Sequence, residues 1–467
     1  MATPFLPPTH QAQHSASVQG NPLLPPPNDL LRVGSRRWFL QTGLAGLAGL
    51  TLADTLRAQT AASDTVSRHR DPRAVILFWL SGGPSHLDTW DPKPDAPTEV
   101  RGPYQTIATS VPGIRVCEHL PLQARLMHKL TILRSVDCSA SNHTPITMQA
   151  GNALAQRTND GKDGGGYPSM GSVAAKFRGP NALSMPAFVG LADSWKADVW
   201  GAGHMGSAFE PVKGNELPGR LAIPTGVSVP RLQERAELRR QFDQLERERD
   251  AGQQMGSMDR YTDMALDMVV SPAVRRAFDI DREPDRVRDA YGRCSVGEKA
   301  LLARRLVEAG TTFVLVSGRW GYFDHHGDNV PPWGGIQKGL TPILPTIDQA
   351  LTALIEDLEA RGLLDSTLIL MLGEFGRGPV LTKDGGREHW LSVMSMLAAG
   401  GGCRHGQVIG STDSRGGTIK SRKVTPSDLA ATVFRHLGIP LEAQWTNPQG
   451  RPVPIVTQGG QPLPELS

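Results

Sequence analysis

Four short apolar runs, each breaking off in a polar loop, decide most of what this chain can fold into. The first is Ala74–Leu80 in "RAVILFWLSGGPSHLDTWDPKP". The second opens "LTILRSVDC" at 130–138, the third is "TTFVLVS" at 311–317 and the fourth "STLILML" at 366–372. None alternates apolar with polar residues, which is the pattern of a strand buried on both faces in a parallel sheet. Helical patterns lie between them. Residues 298–309 form one. In "TPILPTIDQALTALIEDLEARGLL" (341–364) apolar residues recur at helical spacing and stop at Gly362. "VTPSDLAATVFRHLGIP" (424–440) gives a closing helix with Ser427 as its cap. Strands alternating with helices predict an α/β fold, a three-layer α/β/α sandwich with a mostly parallel central sheet.

The rest of the chain is less regular. Residues 160–230 are rich in glycine and proline and are expected to be an irregular insertion, and 446–467 an irregular tail. "RLQERAELRRQFDQLERERD" (231–250) is a solvated helix laced with i,i+4 charge pairs. One domain is expected over about 70–445. Residues 1–34 have too few apolar side chains to build a core. Arg36 and Arg37 then precede a short, glycine-rich apolar stretch over 38–53, followed by small residues. With Ser35 and Phe39 this resembles a twin-arginine signal, so 1–62 reads as leader and signal peptide. Export to the periplasm, cell surface or medium, through the twin-arginine machinery, is the expectation. The stretch is too short for a stable transmembrane span in the mature chain.

Lys plus Arg total 49 against 46 for Asp plus Glu, so no net field favours nucleic acid or a membrane surface. Cys117, Cys138, Cys294 and Cys403 show no CxxC spacing, which leaves two disulfides and four free thiols both open.

In open α/β sheets the functional site lies outside the carboxyl ends of the strands. The first loop carries Asp88, with Asp91 close by; the second carries Ser141, His143 and Thr144. Asp324, His325 and His326 follow the third strand. Glu374 follows the fourth, with His389 fifteen residues on in "REHW". Carboxylates with imidazoles suit zinc, manganese, iron or magnesium. Residues 324 and 326 would share a face in an extended segment, with His325 turned away. Arg377 and Arg387 either hold a substrate anion or pair with carboxylates.

The ordered motifs "GGPSHLDTWDPKP", "FDHHGDN", "GEFGRGP" and "GREHW" resemble the family called domain of unknown function 1501, over about residues 70–440. That family in turn is similar to the alkaline-phosphatase-like superfamily of sulfatases, phosphatases and metal-dependent mutases. The resemblance implies an alkaline-phosphatase-like fold and one or two divalent ions (Zn, Mn, Mg or Ca). Asp88, Asp324, His326, Glu374 and His389, with His143, would be ligands. Ser141, or Thr144 in its place, would be the nucleophile, and Arg377 and Arg387 would serve the anion. Phe375 stands where active phosphatases have a ligand histidine, which removes a ligand from one ion site. The implied activity is hydrolysis of phosphate or sulfate esters, in a small anionic ester or a sulfated or phosphorylated polymer. A catalytically degenerate binding or scaffold protein, and a phosphoryl transferase or mutase, are the alternatives.

Overall fold

The computed structural model describes residues 72–156, 163–217, 231, 234, 271–318 and 321–466. The expected leader and signal, and all but two residues of the charged helix expected over 231–250, lie outside them. The strands in chain order are β1 (Ala74–Trp79), a hairpin of β2 (Thr106–Ala108) and β3 (Arg115–Cys117), β4 (Leu130–Val136), β5 (Phe188–Leu191), β6 (Val212–Lys213), β7 (Phe313–Ser317) and β8 (Thr367–Leu372). They continue with β9 (Gly376–Arg377), β10 (His389–Trp390), β11 (Met394–Gly400), β12 (Gln407–Ile409), β13 (Ser411–Thr412), β14 (Ile419–Ser421), β15 (Gln444–Thr446) and β16 (Pro452–Pro454).

Eight of these form one sheet in the order β12-β4-β11-β8-β1-β7-β5-β6. β1 is parallel to both β7 and β8, whereas β11 is antiparallel to both β8 and β4. The four strands legible in the sequence, β1, β4, β7 and β8, therefore all point their carboxyl ends to one edge. The strand that breaks the parallel pattern, "MSMLAAG", was not anticipated. It is short of the β-branched and aromatic residues that mark strands, and only its place between β8 and β4 makes it one.

Burial on both faces follows from the continuous apolar runs. Ile76 and Phe78 of β1 pack into one core with the helices Ser295–Glu308 and Leu344–Ala360. Val75, Leu77 and Trp79 pack into the other with the helices Met170–Phe177 and Pro426–His436. The result is the three-layer α/β/α arrangement.

Three expectations need correction. The region 160–230 is not wholly irregular: it holds the helix Met170–Phe177 and the strands β5 and β6. Ser427 does not cap the closing helix. Thr425 does, in a reciprocal box with Asp428, a device worth about 1 kcal/mol. The tail also holds β16, and it buries Ile455, Leu463 and Leu466 in the second core. The four cysteines are free thiols. Among the described residues no helix is long and apolar enough to cross a membrane.

The closing helix carries a pH-dependent contact. His436 Nε2 lies 3.0 Å from the Ala74 carbonyl oxygen, so the neutral ring donates there. Burial, helped by the charges of Arg73 and Arg178, depresses its pKa to about 4. The unfolded chain takes up a proton near 6.5, the folded chain only near 4. Stability is thus complete above about pH 6.5 and falls by up to about 3 kcal/mol as pH drops to 4. His436→Gln should flatten this part of the acid limb, seen as urea midpoints at pH 7 and 4.5 that differ less than in the wild type. An unchanged difference would show that His436 does not set it.

Candidate metal centre

Loops at the carboxyl edge of the sheet bring five of the sequence-predicted residues together. Asp324 is the hub. Its Oδ1 lies 3.0 Å from His326 Nε2 and 3.1 Å from His389 Nε2, and these two nitrogens are 3.0 Å apart. His143 Nε2 is 3.4 Å from Asp324 Oδ2, while its Nδ1 is 2.9 Å from Glu374 Oε1. The segment carrying Asp324 is not a regular strand, yet residues 324 and 326 converge. His325 turns into the protein and sets Nδ1 3.1 Å from the Trp333 carbonyl oxygen.

The first loop reaches this cluster through its backbone. Gly82 N donates to Glu374 Oε1 at 2.8 Å. Gly82 has φ +104°, and a Cβ there would sit 2.6 Å from Asp324 N; one on Gly83 would sit 2.5 Å from the Phe375 ring. Only glycine permits so close an approach. Phe375 is buried under the cluster, its ring centroid 4.5 Å from that of His389 and 5.4 Å from that of His143. It supplies an apolar floor in place of a ligand.

The arginines and Asp88 depart from expectation. Arg387 and Asp88 are both fully buried and bind each other, Nε to Oδ2 at 2.6 Å and Nη2 to Oδ1 at 3.3 Å. Ser85 Oγ donates to the same carboxylate. Asp88 is thus satisfied within the protein, and the structure does not bring it to the cluster. Arg387 spends its remaining donors on the carbonyl oxygens of Val100 and Pro379. Arg377 is buried too, and donates to Asp324 Oδ1 and to the carbonyl oxygens of Gly82, Gly83 and Arg387. Neither arginine has a fork left for a substrate anion; each organises the loops instead. Thr144 Oγ1 donates to Asn142 Oδ1 at 2.6 Å, away from the cluster's ligands. Ser141 is buried with its Oγ unpartnered.

Two further residues belong to the picture and were not singled out. Glu388 Oε2 lies 3.1 Å from His326 Nδ1 and fixes that ring. It sits inside the quoted "REHW", but an exposed glutamate next to a histidine gives no signal without the fold. Asp198 is fully buried, with the Ser81 and Ser317 hydroxyls beside its carboxylate. Burial, with a contribution from Glu374, raises its pKa to about 7. It comes from the glycine- and proline-rich region, where no periodicity pointed to it.

The electrostatics favour a cation. His326 sets Nδ1 toward Glu388 and Nε2 toward His389 Nε2 and Asp324 Oδ1. Arg377 already donates to Asp324 Oδ1 and sets Nη1 3.4 Å from His326 Nε2, and a histidine proton bridges the two rings, so a metal would take that proton's place. A tetrahedral zinc, with bonds of about 2.0–2.1 Å, sets its ligands about 3.3 Å apart, so the spacing fits an ion after a slight expansion. His143, Asp324 and His389 also offer ligand atoms all within 4.8 Å of one another. Burial would raise the Asp324 pKa, but hydrogen bonds from His143 and His389 and the Arg377 guanidinium hold it well below the usual carboxylate range. The carboxylate is ionised and ready to ligate.

An α/β sandwich with imidazoles and a carboxylate gathered at the carboxyl ends of its strands is the class the fold and site define. Residues 72–467 match the family described as "Protein of unknown function (DUF1501)", and the chain belongs to that family. No curated protein matches it. Among solved structures it overlaps Ps i-CgsB in complex with k-i-k-neocarrahexaose at 12% identity and TM-score 0.38, covering 79% of this chain and 73% of that one. The PsFucS1 sulfatase from Pseudoalteromonas sp. overlaps at 13% identity and TM-score 0.35, covering 79% and 68%. The phosphonate monoester hydrolase SpPMH from Silicibacter pomeroyi does so at 13% and 0.33, covering 83% and 74%. Likenesses this distant carry nothing about activity.

Proposed function

We propose that this chain is an exported, metal-dependent hydrolase of phosphate or sulfate esters. The observation that carries the reading is the convergence of Asp324, His326 and His389, whose potential ligand atoms lie 3.0–3.1 Å apart. Asp324, His326 and His389 would hold a divalent ion, with His143 beside them. The ion would supply positive charge to the ester's anionic oxygens and lower the pKa of an attacking hydroxyl or water. That contribution is needed, because both arginines are already committed within the protein.

The chain's own residues do the positioning. Glu388 fixes the His326 ring, and Arg377 fixes Asp324. Burial opposes protonation of His143, yet the carboxylates of Asp324 and Glu374 outweigh it and lift its pKa to about 9. Its Nδ1 faces Glu374 and its Nε2 faces Asp324. It is placed to donate to a departing alkoxide from the Asp324 side while Glu374 steadies the ring. Ser141 Oγ has no base within hydrogen-bonding distance. As nucleophile it would depend on the ion for activation. Export rests on the paired arginines of the leader.

A binding or scaffold protein on the same fold is the second reading, favoured by Phe375 and by the committed arginines. The two separate on a panel of 4-nitrophenyl phosphate, phosphate diester and sulfate, assayed with added zinc, manganese, magnesium or calcium and again after chelation. The hydrolase reading predicts turnover of at least one ester that stops with chelator and returns with metal. Metal uptake without turnover of any ester would favour the binding protein.

A further inference from the structure

A second polar feature adjoins the cluster. The hairpin of β13 and β14 lies against β4, and its turn is pinned by Trp390 Nε1 donating to the Gly417 carbonyl oxygen at 2.7 Å. Between this hairpin and the site loops runs a groove of about 500 Å³, lined by Ser139, Ser392, Ser421, Lys420, Arg422 and Lys423 among others. Ser139 is four residues before His143, and Ser392 is three after His389. At the reach of an extended chain, about 3.3–3.6 Å per residue, the Cα atoms of Ser139 and Ser392 lie within about 14 Å of those of His143 and His389.

The charges in the groove do not cancel. Lys423 pairs with Asp137 at 2.5 Å, and Arg422 forks onto Glu465 at 2.7 and 2.9 Å. Exposed Lys420 has no carboxylate partner among the described residues. Of the charged residues that line the groove, Lys420, Arg422 and Lys423 are cations and Asp137 the one anion among the described residues, beside a row of hydroxyls. No aromatic ring lines the groove, so it offers no platform for stacking bases, as single-stranded nucleic acids require.

We propose that this groove holds the anionic groups of a polymeric substrate, a sulfated or phosphorylated glycan, next to the ester cleaved at the Asp324 cluster. The assignment rests on the hydrolase reading and names its substrate class. Hydroxyls would meet the sugar, Lys420 the sulfate or phosphate of a neighbouring unit, and the paired cations would add field without being released.

The test uses the full chain, with dextran sulfate as the probe, and compares wild type, Lys420→Glu and Lys420→Arg. Binding is followed by fluorescence anisotropy at low and physiological ionic strength, with turnover of a small aryl ester in parallel. Lys420→Glu is expected to weaken dextran sulfate binding by about tenfold, most strongly at low salt. Lys420→Arg should retain binding, and the small ester should be turned over equally by all three. Equal binding by Lys420→Glu and wild type overturns the proposal, as does no binding by wild type. An oligothymidylate that binds as tightly and responds to the same substitution overturns it in favour of nucleic acid. Binding that depends on Lys420 in a chain that turns over no ester overturns the hydrolase reading and leaves the groove as a polyanion site.

Discussion

Arg387→Met is expected to lose about 3–5 kcal/mol of folding stability, the range for breaking a buried ion pair by removing one partner. The guanidinium and the Asp88 carboxylate have no solvent exposure. Without Arg387, Asp88 retains the Ser85 hydroxyl and little else to offset its desolvation, and the carbonyl oxygens of Val100 and Pro379 lose their donor. Domains of this kind hold about 5–15 kcal/mol in total, so the loss is a large fraction of the stability. Urea denaturation measures it directly. Adding Asp88→Leu to Arg387→Met should recover part of the loss, because the orphaned charge goes with it. A near-neutral Arg387→Met would mean that the pair is not what joins the first loop to the "REHW" segment.

Asp324→Asn is expected to remove turnover by about a thousandfold or more, the rate equivalent of several kcal/mol of lost charge stabilisation. The substitution is close to isosteric. Its amide oxygen can still accept from Arg377, but the buried guanidinium loses its paired charge, so turnover is compared on protein that circular dichroism shows to be folded. The negative charge that draws His143, His326, His389 and the ion together is what goes. Glu388→Gln tests the supporting contact and should act more mildly, lowering metal affinity about 10–100-fold. A fully active Asp324→Asn would remove the hub from the mechanism.

The sequence showed the frame of this site well and its wiring poorly, for identifiable reasons. β1, β4, β7 and β8 were legible because burial on both faces forces continuous apolar runs. Their common direction then placed Asp324, His326, Glu374 and His389 at one edge. β11 escaped because Met, Ala and Gly do not announce a strand. Asp88 was misplaced because a carboxylate at a strand end has the same appearance whether it binds a metal or a buried arginine. The partner that decides the matter, Arg387, lies 299 residues away in the chain. Arg377 was open between a substrate anion and a carboxylate partner, and only the fold shows its donors spent on Asp324 and three carbonyl oxygens. Glu388 lay inside "GREHW", but its pairing with His326 depends on a contact 62 residues away, and Asp198 had no periodic or motif signal.

Metal stoichiometry on the purified full chain tests the central claim most directly. The chain would be stripped with chelator, titrated with zinc and manganese by calorimetry, and checked by plasma mass spectrometry beside Asp324→Asn. The arrangement of Asp324, His326 and His389 predicts about one tightly held ion per chain, lost in the variant. A folded wild-type chain that takes up neither metal, or a variant that binds as much, would contradict it.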